Sequence, residues 1–128
     1  ASHELKTPLS TMKILLETLL YQENYDPQMK KEFLTDINKE IDNTAQVERV
    51  ARLLSECFGG ATSSPARGYW VAQDGALVAE KTTMVFAYCD TAAAEKYIDD
   101  VVTLCNELKH EMGQEAVALE YNGSMYFI

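Results

Sequence analysis

The chain is poor in the residues that staple, span or attract phosphate. Its cysteines are three, Cys57, Cys89 and Cys105, odd in number and with no C-x-x-C spacing. That excludes a disulfide framework or a zinc site and suits a reducing compartment. Basic residues number 11 against 20 acidic ones, for a formal net charge of −9. The local basic pairs, Lys30–Lys31 and Arg49/Arg52, are flanked by acids. Nucleic acid is therefore excluded as a partner, because phosphate contacts need a basic face. No apolar stretch approaches the roughly 18 residues of a membrane span, and Ala1-Ser2-His3-Glu4 lacks the basic start and apolar core of a signal peptide. Cytoplasmic placement is the expectation. Ala1 stands where an initiator Met would, so the chain reads as a fragment, and its parent could be membrane-anchored with this part in the cytoplasm. There is no P-loop or Rossmann glycine pattern, and Ser63-Ser64-Pro65 is expected to be a turn, without the G-x-S-x-G elbow of a hydrolase.

What the chain does have is periodicity. Leu5, Leu9, Met12, Leu16 and Leu19 advance by four and three, which predicts a helix with a packing seam. Asp26 reads as an N-cap with Pro27 at the first helical position. A second helix is expected from there, with Phe33, Ile37 and Ile41 on one face, continuing through Val47, Val50, Leu54 and Phe58 to Gly59–Gly60. Residues 1–58 thus read as an antiparallel helical hairpin, and its surplus apolar surface predicts a homodimer.

Beyond Gly60 the pattern changes. Tyr69–Ala72 and Leu77–Glu80 flank Gln73-Asp74-Gly75-Ala76, a hairpin signal, and Thr82–Tyr88 continues the second strand. Thr91 is expected to cap a helix whose apolar face is Ala94, Ile98, Val101, Cys105, Leu108 and Met112, stopped by Gly113. Ala116–Tyr121 and Ser124–Ile128 pair across Asn122–Gly123, with Val117, Leu119 and Tyr121 facing the same side as Ser124, Tyr126 and Ile128. The fold class is α+β. The expected architecture is the helical hairpin followed, over residues 59–128, by a small antiparallel sheet of two β-hairpins covered by one helix.

One run carries chemistry. Ser2-His3-Glu4-Leu5-Lys6-Thr7-Pro8-Leu9 resembles the H-box of the two-component sensor histidine kinases, and the resemblance extends over residues 1–42. It implies that His3 is a phosphoacceptor, since a neutral imidazole is a competent nucleophile near pH 7. Glu4 would hold the second ring proton and Thr7 would orient a water for dephosphorylation. The implied partner is the receiver domain of a response regulator. The ATP-binding half of such a kinase, with its Asn box and its D-x-G-x-G and G-x-G loops, has no counterpart: Asp74-Gly75 is followed by Ala76-Leu77, and Gly59-Gly60 by Ala61-Thr62. ATP and Mg are implied only through that missing module. No cofactor is expected on this chain, and it would not be an active kinase alone. After about Asp42 the family pattern stops, which reads as a join to a small α+β piece of unrelated origin.

The remaining candidates read as structural. His110, in the last turn of its helix, suits the helix dipole. Tyr69, Tyr88, Tyr97, Tyr121, Tyr126 and Trp70 suit sheet-face packing, and Asp99–Asp100 a solvated helix face. The leading expectation is therefore a phosphotransfer and dimerisation fragment of a sensor kinase. The alternative is a non-enzymatic interaction or regulatory module joined to a kinase-derived segment.

Overall fold

A computed structural model describes residues 9–21 and 43–128 of the chain. The expected helix through Phe33, Ile37 and Ile41 lies outside them, as do His3, Glu4 and Thr7. The described residues form a five-stranded sheet and two helices, in the order β1 (Ser10–Tyr21), α1 (Thr44–Phe58), β2 (Thr62–Val71), β3 (Leu77–Cys89), α2 (Thr91–Glu111), β4 (Ala118–Tyr121) and β5 (Ser124–Phe127).

Residues 10–21 correct the expected first arm of a helical hairpin: they are a strand, and the central one. The sheet order is β2-β3-β1-β4-β5, so β1 inserts between the two hairpins and pairs antiparallel with β3 on one side and β4 on the other. Met12 and Leu16 belong both to a four-three helical seam and to a period of two, so they decide nothing. Ile14 decides. It falls outside the helical seam, yet Met12, Ile14 and Leu16 are all fully buried, which is the alternation of a strand. Leu, Met, Lys and Glu favour a helix locally, and hydrogen-bonded partners along both edges override that preference.

The second hairpin arm is helical where it is described. α1 ends at Gly59, whose φ of 91° is left-handed and whose N–H donates to the Ser55 carbonyl. The first β-hairpin is longer than expected, since β2 begins at Thr62 and pairs with β3 through Val71↔Leu77. Pro65 is tolerated because β2 is an edge strand. Asp90 rather than Thr91 caps α2, its carboxylate accepting from the Ala93 N–H at 2.7 Å. The second hairpin turns at Asn122–Gly123, with φ of 52° and 80°, and pairs Leu119 with Tyr126 and Tyr121 with Ser124.

Both helices lie on one side of the sheet, where a single helix was expected. The core joins Met12, Ile14 and Leu16 of β1 and Val85, Ala87 and Cys89 of β3 to Val50 and Leu54 of α1 and to Ala94, Val101, Cys105 and Leu108 of α2. Residues on both sides of position 58 therefore share one sheet and one core. Arg49 of α1 ties the helices together, with Nη1 2.6 Å from Glu111 and Nη2 2.9 Å from Glu107 of α2. No helix among the described residues is long and apolar enough to cross a membrane.

Candidate functional site

Among the described residues, no helix covers the other side of the sheet. Strand alternation sends Thr11, Lys13, Leu15 and Glu17 of β1 to that side, and the β1–β3 register puts Phe86 beside Lys13 and Thr82 beside Glu17. Lys13 reaches Glu120 of β4 at 3.8 Å. The aromatic and apolar side chains here are not all packed away: Trp70 is 44% exposed, Met125 46% and Phe127 75%.

At one end of this face lies a cavity of about 580 Å³, lined by Glu17, Trp70, Glu80, Gln114, Ala118 and Phe127, with Glu115 and Ala116 completing the wall. It draws on every strand but joins two parts of the chain that are far apart in sequence. Glu17 comes from the central strand, and Glu80 from β3 one diagonal step along the register. Gly68 of β2 stands opposite Glu80 and adds no side chain there. The Trp70 indole Nε1–H donates to Oε1 of Glu80 at 3.2 Å, which fixes that carboxylate against an aromatic ring. Gln114, in the segment before β4, donates its side-chain amide to the Glu17 carbonyl and closes the rim.

The carboxyl of Glu17 is held above its ordinary pKa of 4.5. The first cause is partial loss of hydration against the surrounding protein, even though the side chain still reaches solvent. The second is the negative charge of Glu80, and a hydrogen bond with Glu80 adds to it. Two carboxyl groups one diagonal step apart at the wall of a cavity, with an indole on one of them, form a site suited to a cationic ligand carrying a flat ring.

A second concavity, about 380 Å³, runs between the helices beside Arg49, Arg52, Asp100 and Glu107. It holds charged side chains of both signs, and its Arg49 is already engaged by two acids. Asp100 is exposed on α2, and His110 is exposed in its last turn beside Lys109. Tyr69, Tyr88 and Tyr126 are all more than half exposed, so they do not pack the sheet face as expected, while Trp70 lines the cavity. Among the described residues no group of three His, Cys, Asp or Glu could hold a metal ion. Glu17 and Glu80 were not anticipated. They are distant in sequence, and the only signal that could have found them was a period of two through Met12, Ile14 and Leu16.

Comparison with known proteins gives two results. Residues 1–56 match the family model of the His Kinase A (phospho-acceptor) domain. No curated protein is significantly similar in sequence. Among solved structures, the chain is similar to a phage SAM lyase in complex with S-methyl-5'-thioadenosine, with 17% identity and a TM-score of 0.57, covering 100% of this chain and 95% of that one. It is also similar to a phage SAM lyase in the apo state, with 18% identity and a TM-score of 0.51, covering 93% of this chain and 87% of that one.

These results correct the expectation of a kinase fragment serving phosphotransfer to a response regulator. The family match stops at residue 56, whereas the similarity in fold to the SAM lyase structure covers 100% of this chain. Within the matched segment, Ser10–Tyr21 is a strand with Met12, Ile14 and Leu16 fully buried, and not a dimerisation helix. The alternative, a separate module joined to a kinase-derived segment, falls with it, because β1 is the middle strand of the sheet.

Proposed function

We propose that the chain is a lyase-like protein that binds S-adenosylmethionine (SAM) in the cavity of Glu17, Trp70 and Glu80 and cleaves it to S-methyl-5'-thioadenosine. The observation that carries this reading is the pair of carboxyl groups beside an indole, on the open face of a fold shared from end to end with a SAM lyase. A sulfonium is a permanent cation. It is drawn to carboxylates and to the face of an indole. Trp70 and Phe127, both partly exposed at the cavity, supply apolar ring surface for the adenine.

In the reaction the bond between sulfur and the γ-carbon of the methionine part breaks, and its electron pair stays on sulfur. The vacated valence on carbon is filled either by the fragment's own carboxylate or by loss of a β-proton, and neither route consumes water. Positive charge moves from sulfur towards the carbon. A carboxylate therefore accelerates the step only where it stabilises the carbon side more than the sulfur side. Glu80, anchored by Trp70, is assigned that position.

We also place the protein in the cytoplasm as part of the proposal, in keeping with its three unpaired cysteines. The experiment is incubation of the full chain with SAM, with products separated by chromatography and identified by mass. S-Methyl-5'-thioadenosine should appear, and a β-proton exchange measurement on the four-carbon product distinguishes the two routes. Glu80→Gln should lose most of the turnover.

A further inference from the structure

We propose that Glu17 is a specificity residue: set beside Glu80 on the cavity wall, it makes the cavity prefer a cationic ligand to the neutral thioether formed from it. This rests on the SAM reading of the cavity and adds what that reading leaves open, namely how substrate is told from product. The two share the adenosine and the methylated sulfur, so ring contacts from Trp70 or Phe127 cannot separate them. Charge can.

The geometry supplies the device. Glu80 is held by the Trp70 indole at 3.2 Å, and Glu17 lies one diagonal step from it on the same cavity wall. Glu17 pairs with Thr82 of β3 on one edge, and on β1 beyond the last β4 partner, Leu15, its carbonyl accepts from the Gln114 side chain, which fixes its backbone. With the cavity empty, a proton on Glu17 relieves the repulsion between the two acids. A bound sulfonium relieves it equally well, so the proton leaves as the cation enters, and binding of the cation tightens as pH rises. A neutral thioether offers no such exchange. Once the carbon–sulfur bond breaks, the attraction ends and the proton returns, which favours release.

The other charged groups facing this pair from the described elements are few. Glu115, in the segment before β4, lines the same cavity and adds to its negative potential. Lys13 lies further along the same face of β1 and is engaged with Glu120 of β4. Gln114, which caps the rim, is neutral.

The test measures binding of two probes by calorimetry from about pH 5 to pH 8. One is sinefungin, an unreactive SAM analogue with an ammonium where the sulfonium sits. The other is S-methyl-5'-thioadenosine. In the unaltered protein, sinefungin should bind more tightly as pH rises, with proton release seen as a dependence of the heat on buffer ionisation, while the thioether should change little. Glu17→Gln should flatten the sinefungin slope and cut its preference over the thioether on the order of tenfold, and Glu17→Asp should restore much of both. Retention of the slope and the preference in Glu17→Gln, with thioether binding intact, overturns the assignment of Glu17 alone. Failure of both probes to bind the unaltered protein overturns the SAM reading and this inference together.

Discussion

Ile14 of β1 lies directly opposite Val85 of β3, and neither residue exposes any surface. That contact ties a segment whose sequence spells a kinase helix into the middle of a sheet. It also separates the two architectures by experiment, because Ile14 sits off the seam of the helical reading while Leu9 sits on it.

Truncation of Ile14 to Ala should therefore destabilise the protein by about 2–5 kcal/mol. Leu9, 59% exposed, should tolerate the same change within about 0.5 kcal/mol. Urea unfolding followed by circular dichroism checks both. The reverse ranking would restore the helical hairpin.

Glu17 makes a prediction about pH and stability. Its pKa is raised in the folded state above the ordinary 4.5, so the folded protein holds the proton more tightly than the unfolded chain does. Stability from this group is fully present below pH 4.5 and declines as pH rises through the folded pKa. Glu17→Gln removes that dependence. Its melting temperature relative to the unaltered protein should rise from acid towards pH 7, and a difference that stays flat or falls would show the group to be unperturbed.

The three thiols should react in a fixed order with a disulfide reagent at mildly alkaline pH. All are held above their ordinary pKa, chiefly by burial, and Cys105 is pushed up to about 12. Cys57 is the least buried and should label first, with Cys89 and Cys105 waiting for unfolding. Mapping of the modified peptides gives the order, and early labelling of Cys105 would contradict the core as described.

Much of the C-terminal architecture was legible in the residues. Asp74–Gly75 and Asn122–Gly123 mark turns because few residue pairs accept the required backbone angles, and the apolar face of α2 repeats too regularly to be anything but a helix. The central strand was not legible for a physical reason. Met-Lys-Ile-Leu-Leu-Glu-Thr-Leu-Leu is an apolar run of strong helix formers, and what makes it a strand is the two partners it meets, both of them far along the chain. The cavity followed the strand out of sight. Glu17 and Glu80 have no spacing that a motif could capture, and Trp70 becomes a cavity residue only once β2 is paired with β3. The H-box spelling at His3 is matched by a family model over residues 1–56; of the described residues there, Ser10–Tyr21 is a strand while those from Thr44 on are helical.

The most direct test is the fate of SAM with the full chain, followed by mass-resolved chromatography beside Glu80→Gln. The account predicts S-methyl-5'-thioadenosine accumulating with the unaltered protein and little of it with the variant. Intact SAM after prolonged incubation, together with no binding of SAM, would contradict it.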